Sequence, residues 1–416
     1  MNMLTKQPRE RMLELAYELP LEELDVSNWH LFENDAIWPY FERLRAEDPV
    51  HFHADSRYGP FWSITRYDDI KAVDQDHKRF SSAGSIGLED MAEDFQTPMF
   101  IAQDQPVHDV QRKAVNGVVA PKNLAGFETI IRERVGKVLD SLPVGETFDW
   151  VDRVSIELTT QMLATLFNFP FDERRKLTRW SDVTTLPELS MEQRRTELLE
   201  CLAYFTQLWH QRKQEEPGFD LISMLAHGEG TRDMINNPLE YLGNILLLIV
   251  GGNDTTRNSM SGGVLALNQY PAEYDKLRGD HSLIPNMVAE IIRWQTPLAY
   301  MRRTALEDVE LNGKTIRQGD KVAMWYVSGN RDESKFADAN RFIADRDNAR
   351  NHISFGFGIH RCMGNRLAEM QIRVLWEEIM QRFAHVEVVG EPVRVRSNFV
   401  RGYAELPVRL HPLSQA

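Results

Sequence analysis

The sequence has few cysteines: only Cys201 and Cys362 occur among its 416 residues. Two cysteines cannot build the disulfide framework of a small secreted protein, and such scarcity is typical of chains that fold in a reducing compartment. We therefore expect a cytoplasmic protein whose fold is held by packing and not by covalent cross-links.

Excess positive charge is missing as well, and so are long apolar runs. The chain has 48 Lys and Arg against 62 Asp and Glu, a formal net charge of -14, whereas general nucleic-acid binding needs a basic surface. The longest apolar run, Ile245–Val250, is far too short to span a bilayer. Residues 1–20 mix charges throughout, without the pattern of a signal peptide. These absences predict no nucleic-acid partner and no membrane anchor.

The composition, with 42% apolar and 26% charged residues, is that of a folded globular protein. Apolar residues recur at spacings of three and four through most of residues 107–281, which predicts a long helical tract. Residues 50–53 and 61–64 alternate in polarity around a turn and predict a β-hairpin. Further strand-like segments follow at 309–316, 321–326, 385–389 and 406–410. The pattern indicates an α+β fold, mainly α, with small peripheral sheets.

One predicted helix, at about 239–270, differs from the rest. Pro238 at its first turn and Pro271 after its end set its bounds, and its apolar residues occur nearly all round, so it should be buried. At about 1.5 Å per residue it would be about 45 Å long, enough to cross the molecule. Yet Gly251–Thr256 places two helix-weakening glycines and an acid at its middle. Such a conflict usually marks a functional site.

The most specific signal is the glycine-rich segment 355–364, directly before another predicted helix. Cys362 stands where the dipole and free N–H groups of that helix favour a thiolate. Phe355, Gly356 and Gly364 accompany it, and glycines let the backbone approach a flat cofactor and point N–H groups at sulfur. An isolated cysteine here would more often be an inert buried residue. A zinc site is the other alternative, but the sequence has no second Cys or paired His at ligand spacing.

Three motifs together resemble the cytochrome P450 family over nearly the whole chain. Segment 355–364 has the form F-G-x-G-x-H-x-C-x-G, Glu290–Arg293 is an E-x-x-R, and Gly251–Thr256 resembles the acid–alcohol pair of the family's long distal helix. The resemblance implies a cytochrome P450 fold, a helical body around a buried haem with small peripheral sheets. It also implies haem b (iron protoporphyrin IX), Cys362 as the axial iron ligand, and a haem-thiolate monooxygenase that consumes O2.

The resemblance also implies the domain organisation, a single domain at 31–416 after an N-terminal extension, residues 1–30. Within the extension, apolar spacing predicts a short amphipathic helix at about 11–19 that stops at Pro20. A second short helix is predicted at about 38–45.

Roles follow for the two helical motifs. By the resemblance, Glu290 and Arg293 form a buried salt-bridge network with an arginine of a later segment, for which Arg331 is the candidate. Asp254 relays protons from solvent while Thr255 holds dioxygen and its waters, so that the O–O bond breaks heterolytically. The residue types agree, because heterolysis needs two protons delivered to a buried oxygen. The alternative for Thr255 is a hydrogen bond to the backbone carbonyl four residues back, common for a mid-helix Thr.

The two propionates of a haem need cationic or hydrogen-bonding partners. By the resemblance these are His108, Arg112, Arg303 and His352. A surface role is the alternative for each of them, and Arg112 could equally face a redox partner. The family often shows two prolines after an Asp in this region, whereas this chain has Asp104-Gln105-Pro106, which puts the geometry of that loop in doubt.

Three stretches are similar to one bacterial branch of the family, the soluble alkane and fatty-acid terminal hydroxylases: Ile245–Ser259, Arg293–Leu306 and Val322–Asp332. The substrate positions implied by this similarity are Leu247, Val250, Gly251, Ala299, Met301 and Phe399. All six are apolar, which predicts a hydrocarbon chain as the guest. Plain core packing is the alternative for Leu247 and Phe399. The implied reaction is hydroxylation of the terminal carbon of medium-chain alkanes, primary alcohols or fatty acids.

The sequence shows no flavin or iron–sulfur segment, so the two electrons have to come from a partner. By the resemblance this is an acidic ferredoxin with its flavoprotein NAD(P)H reductase, which would dock on Arg112, Lys113, Arg361 and Arg366. Two other functions stay open. A peroxide-driven hydroxylase typically replaces the acid–alcohol pair, and a non-catalytic haem-based sensor would have no use for a proton relay.

Overall fold

The computed structural model describes residues 7–91, 94–185 and 189–413. Its α-helices are α1 Arg9–Glu18, α2 Trp29–Glu33, α3 Trp38–Glu47, α4 Tyr67–Gln75, α5 Val107–Val115, α6 Pro121–Asp140, α7 Glu157–Phe167, α8 Arg175–Thr185, α9 Met191–Gln214, α10 Leu221–His227, α11 Pro238–Gln269, α12 Pro271–Gly279, α13 Ile284–Gln295, α14 Tyr326–Gly329 and α15 Asn365–Arg382. Its strands are β1 Val50–His53, β2 Phe61–Ile64, β3 Phe80–Ser81, β4 Thr147–Asp149, β5 Met301–Ala305, β6 Val309–Leu311, β7 Lys314–Ile316, β8 Lys321–Met324, β9 Phe383–Val388, β10 Val393–Arg394, β11 Tyr403–Glu405 and β12 Pro407–Pro412.

The strands form small sheets beside the helical body. A five-stranded sheet has the order β1-β2-β8-β5-β3, a three-stranded sheet has the order β4-β12-β9, and β6–β7 and β10–β11 are two-stranded. β1 and β2 pair antiparallel with Val50 opposite Ile64, which confirms the predicted hairpin. The α+β, mainly α class that the sequence predicts is confirmed.

Strand β5 is not predicted from the sequence, because its run of Met, two Arg, Thr and Ala lacks an apolar alternation. In the structure it pairs with β8, and Arg303 lies opposite Val322. A π-helical stretch, Val151–Ile156, leads into α7 and also escapes prediction from apolar spacing. Both are cases where tertiary pairing decides the local conformation against a weak local signal.

Helix α11 has 32 residues and begins at Pro238, as the sequence predicts. It contacts α7, α8, α9, α13 and α15, and most of its side chains are buried. Asn244 attaches it to α5: its Oδ1 accepts from Phe100 N–H at 3.0 Å and its Nδ2 donates to Gln111 Oε1 at 3.2 Å. Among the described residues, no helix is both long enough and apolar enough to cross a membrane.

Helix α1 confirms the predicted leading helix and packs on α3. Met12 is buried in an apolar cluster that also contains Tyr300, far along the chain. Arg43 of α3 donates to the carbonyls of Ala16 and Leu19, both at 2.7 Å, and so satisfies free acceptors at the end of α1. The described part of the leading segment is therefore packed onto the domain that it precedes.

A buried carboxylate on α13 holds the chain that follows α14. Glu290 accepts from Arg293 Nε at 2.6 Å and Nη2 at 2.7 Å, and both its oxygens accept from Arg346 Nε at 3.1 Å. Its Oε1 also accepts the Ile343 N–H at 2.9 Å. The side chains of Glu290 and Arg293 are 0% exposed. The E-x-x-R pair thus forms the buried ion pair that the sequence predicts.

The third member of this network is Arg346, and the prediction of Arg331 is wrong. The Arg331 guanidinium lies 4.3 Å from the ring centroid of Trp38 and 5.2 Å from that of Trp294. It donates to two backbone carbonyls and makes no hydrogen bond to Glu290. Burial holds the pKa of Arg331 well below its usual range. The Arg331 guanidinium therefore packs against the rings of Trp38 and Trp294 and does not form the pair with Glu290 that the sequence predicts.

Replacing Glu290 by Gln should destabilise the fold, because Arg293 and Arg346 then remain buried without a counter-charge. Removing one partner of a buried ion pair costs about 3–5 kcal/mol, and we expect a loss of this size in urea unfolding of the holoprotein. Glu133→Gln is the matched control, since its pair with Lys137 is 63% and 72% exposed and such pairs contribute about 1 kcal/mol or less. Small, equal losses in both variants would contradict the buried network.

Candidate active site

The loop that carries Cys362 follows a tight left-handed path. Gly356 and Gly358 have φ angles of 64° and 65°, a region that favours glycine. A Cβ at Gly356 would lie 3.1 Å from Asp74 Oδ2, and one at Gly358 would lie 2.9 Å from the Asp74 carbonyl oxygen. The Cys362 N–H donates to Phe355 O at 2.8 Å. The loop ends directly before α15, which starts where the sequence predicts.

Cys362 stands three residues before α15 and is partly enclosed by protein atoms. The residue has accessible surface, yet the protein atoms packed around it raise the pKa of its thiol. The N–H groups of Gly364 and Asn365 and the charges of Arg112 and Arg361 act against that rise. N–H donors at a helix start and nearby guanidinium groups stabilise a thiolate, which is the form of cysteine that ligates metals.

Helix α11 carries an accessible stripe along its otherwise buried surface. Leu247, Gly251 and Thr255 retain accessible surface at a spacing of four residues, so they share one helix face. A Cβ at Gly251 would meet nothing within 4 Å. Leu247 packs against the same apolar core as Phe355 and Met363 of the cysteine segment. The stripe is therefore a run of open positions on a helix that is otherwise buried.

Thr255 uses its hydroxyl on its own helix. Its Oγ1 donates to the Gly251 carbonyl oxygen at 3.0 Å, which is the backbone role that the sequence leaves open. The lone pairs of the hydroxyl oxygen stay available on the accessible stripe. A role toward dioxygen remains a prediction; the hydroxyl can accept a hydrogen bond as it stands, but to donate one it has to turn away from Gly251.

Asp254 lies on the buried side of the same helix turn and is 0% exposed. Its Oδ1 accepts from Ser181 Oγ at 3.1 Å and Asn253 Nδ2 at 3.0 Å, and lies 2.9 Å from Arg257 Nη2. Its Oδ2 has no hydrogen-bond partner within the described ranges. Arg257 also lies 3.2 Å from Asp182 of α8, whose side chain is 35% exposed. Burial raises the pKa of Asp182, and Arg257 opposes the rise. A chain of charged groups thus links Asp254 to the surface.

A second group of residues surrounds His360, two positions before the cysteine. The rings of His108 and His360 are 4.3 Å apart between centroids, Arg112 donates to the carbonyl of Arg361, and the charge of Arg303 reaches His360. Burial and nearby cations lower the pKa of His360 to about 2, so this ring is neutral. In the part of the chain that the structure describes, neither nitrogen of His360 has a hydrogen-bond partner, nor has Nε2 of His108. We call His108, Arg112, Arg303 and His360 the histidine–arginine cluster.

His360 is missing from the sequence prediction, which names His352 instead. The structure places the His352 ring 5.1 Å from that of Phe355, and its Nδ1 accepts the Ser354 N–H at 3.3 Å. Burial and the charge of Arg293 lower the pKa of His352 to about 3. It therefore lies beside the α13 network and is not brought into the histidine–arginine cluster. The signal for His360 was in the cysteine motif itself, two residues before the thiol.

The predicted substrate residues are brought together only in part. Five of them retain accessible surface: Leu247, Val250, Gly251, Met301 and Phe399. Ala299 is fully buried, and its N–H donates to the carbonyl of Phe399 at 2.9 Å. Phe399 also meets Tyr300 with 5.3 Å between ring centroids. Ala299 is therefore covered by its neighbours in this structure, and its contact with substrate stays a prediction.

These features fit a flat, anionic cofactor that takes one ligand from the protein. No group of three or more His, Cys, Asp or Glu side chains among the described residues is placed to hold a metal ion. A single thiolate suffices when the metal brings its other ligands with it, as iron does in haem. A Cβ at Gly251 or at Gly364 would meet nothing within 4 Å, which leaves room for a macrocycle. The guanidinium and imidazole groups of the histidine–arginine cluster are suitable partners for the two propionates at the edge of such a macrocycle.

Comparison with known proteins agrees with this geometry. The cytochrome P450 family model matches residues 190–400. Linalool 8-monooxygenase of Pseudomonas putida is 36% identical over 94% of this chain and 100% of its own length. A methyl-branched lipid omega-hydroxylase of Mycobacterium tuberculosis is 33% identical over 94% of this chain and 95% of its own length.

Two solved structures are similar over nearly the whole chain. Cytochrome P450-153 from Novosphingobium aromaticivorans is 46% identical with a TM-score of 0.87, and covers 93% of this chain and 99% of its own. CYP153D17 from a Sphingomonas species is 48% identical with a TM-score of 0.89, and covers 94% of this chain and 100% of its own. The chain therefore belongs to the cytochrome P450 family, whose members are monooxygenases with haem b (iron protoporphyrin IX) as cofactor.

Proposed function

We propose that this cytochrome P450 is a cytoplasmic terminal hydroxylase of medium-chain alkanes, primary alcohols or fatty acids. The proposal is carried by the accessible stripe on α11, where Leu247, Val250 and Gly251 offer only apolar contacts. A methyl C–H is harder to oxidise than an internal one, so terminal selectivity requires a wall that lets only the chain end reach the reacting centre. The omega-hydroxylase among the relatives supports this assignment.

When bound, the haem supplies the activation of O2. Cys362 is the proposed iron ligand, and the helix-start N–H groups favour its thiolate form, which binding to iron would stabilise further. For the propionates we retain His108, Arg112 and Arg303 and add His360, because neither nitrogen of its ring has a hydrogen-bond partner among the described residues and the ring centroid lies 4.3 Å from that of His108.

Asp254 and Thr255 are the proposed proton-moving groups. Asp254 Oδ2 can take up a proton without giving up a hydrogen bond to another described residue, since its Oδ1 holds Arg257. Asp182 is the proposed point of entry from solvent, because it shares Arg257 with Asp254 and is partly exposed. The Thr255 hydroxyl, once it has turned away from Gly251, would pass the proton to the side of α11 that carries the accessible stripe.

An acidic ferredoxin with its flavoprotein NAD(P)H reductase is the proposed electron source. Lys113, Arg361 and Arg366 are exposed and Arg112 is half-buried. Arg112 and Arg361 are also the two cations whose charge acts on Cys362. A basic surface of this kind, on a chain of net charge -14, gives an acidic partner one favourable docking site next to the thiolate.

The ligand assignment predicts a spectroscopic signature. The reduced, carbon-monoxide-bound protein should show the strongly red-shifted Soret band of a thiolate-ligated haem, and Cys362→Ser should lose it. Cys201→Ser is the control and should keep the band, since Cys201 is a buried residue of α9. A band at the normal haem position in the unaltered protein would overturn the assignment.

The proton-relay assignment predicts a loss of coupling. Asp254→Asn should slow turnover by about 100-fold or more, because positioned proton transfer contributes about 10²–10⁴-fold, and should enlarge the solvent deuterium isotope effect. Thr255→Ala should still consume NAD(P)H but convert less of it into product. Thr256→Ser, at the next residue, should do neither. Full activity of Asp254→Asn, or full activity with peroxide and no electron donor, would contradict the relay.

The substrate assignment predicts the products formed from octane. With a ferredoxin system the protein should give mainly 1-octanol. Leu247→Ala should raise the share of internal alcohols, because shortening a side chain of the stripe lets more than the chain end approach. Ile249→Val, on the buried side of α11, should leave the ratio unchanged. Mainly 2-octanol, or no turnover, would exclude terminal hydroxylation of alkanes.

A further inference from the structure

Asp74 is a carboxylate at a position that its helix buries. Tyr67, Ile70 and Asp74 follow one another at spacings of three and four on the inner face of α4, and Asp74 is 2% exposed. A carboxylate in such a place costs free energy unless it is paired and hydrogen-bonded. Its partners therefore indicate the role that it plays.

The two oxygens of Asp74 bind three other segments. Oδ1 accepts from Arg303 Nη2 of β5 at 2.8 Å. Oδ2 accepts from Tyr326 Oη of α14 at 2.9 Å and from the Phe357 N–H at 2.8 Å. One side chain thus joins α4, β5, α14 and the loop that carries Cys362.

The loop is shaped to approach Asp74 closely. Gly356 and Gly358 are the residues whose Cβ atoms would crowd Asp74, at 3.1 Å and 2.9 Å. Lys71, one turn earlier on α4, lies 5.1 Å from the ring centroid of Phe357. The two left-handed glycines therefore serve the contact with α4, on the side of the loop away from sulfur.

Arg303 connects this junction to the cofactor side. Its pair with Asp74 is 3% and 1% exposed, so water does not screen it. Its Nη1 donates to the Arg302 carbonyl at 2.9 Å, and a guanidinium has five N–H donors, so donors remain for a propionate. Its charge also reaches His360 of the histidine–arginine cluster.

We propose that Asp74 is a positioning residue for the haem. It fixes Arg303 and the cysteine loop relative to each other. The distance between the guanidinium proposed to bind a propionate and the Cys362 sulfur proposed to bind iron is thereby held constant. Its negative charge also stabilises the ferric state and lowers the reduction potential of the bound haem. The inference rests on the proposed propionate role of Arg303 and is independent of the substrate.

The test uses the substrate-free ferric holoprotein, so failure of the proposed reaction would not affect it. In Asp74→Asn we expect haem transfer to excess apomyoglobin to become about tenfold faster or more. Arg303 loses its buried counter-charge, and an amide, which accepts on one atom only, cannot satisfy both Arg303 and the two donors to Oδ2. The reduction potential should move to a more positive value. Asp76→Asn is the matched control: Asp76 caps the end of the same helix and pairs with Arg79 at the surface, and both readouts should stay unchanged.

A second variant distinguishes an effect of the Asp74 charge from a general loss of rigidity in the fold. Tyr326→Phe keeps the Asp74 carboxylate but removes one of its donors, so its negative charge is less neutralised and the reduction potential should become more negative. Haem transfer should change by less than in Asp74→Asn, because the bonds to Arg303 and Phe357 remain. If Asp74→Asn does not accumulate as folded protein, the reduction potential of Tyr326→Phe tests the proposal by itself.

Two results would overturn the proposal. One is an Asp74→Asn protein that transfers haem and is reduced like the unaltered protein. The other is a shift of the potential in the positive direction in Tyr326→Phe, since loss of fold rigidity alone would move both variants the same way.

Discussion

The proposed role of Cys362 as iron ligand requires an ionised sulfur at a place where the surrounding protein atoms favour the neutral thiol. Burial raises the pKa of Cys362, and the opposing groups are Gly364 and Asn365 at the start of α15, Arg112 on α5, and Arg361 of the cysteine loop itself. The state of the thiol therefore depends on where two helices lie relative to each other. Asn244 on α11 bonds to Gln111 of α5 and to the Phe100 N–H in the segment before α5, so α11 also helps to fix the position of Arg112 relative to Cys362.

Neighbouring residues of α11 have opposite character: some offer an apolar surface and others form a buried charge pair. Its accessible stripe is apolar at Leu247 and Gly251, as a hydrocarbon guest needs. One residue before Thr255, the buried carboxylate of Asp254 would be costly in such surroundings, yet it points to the other side of the helix and finds Arg257 there. Because successive residues on a helix lie about 100° apart, the substrate face and the charged face can come from one short segment without touching.

Much of this site can be predicted from sequence where the signal is local. The start of α15 after Cys362, the bounds of α11 and the hairpin β1–β2 all follow from capping, proline placement and alternation within a few residues. Prediction fails where partners distant in sequence decide. Arg331 and Arg346 are both plausible partners of Glu290 by type, and only the position of two indole rings assigns the first elsewhere.

Three buried carboxylates show how the same pairing with arginine can serve different ends. In Glu290 and in Asp74 both oxygens accept hydrogen bonds from groups on other elements. Such groups brace segments that are far apart in the chain. In Asp254 all described bonds fall on Oδ1, and Oδ2 has none among the residues that the structure describes. Asp254 Oδ2 therefore keeps its lone pairs free while the donors to Oδ1 stay in place, and this asymmetry supports the proposal that Asp254, and not the other two carboxylates, moves protons.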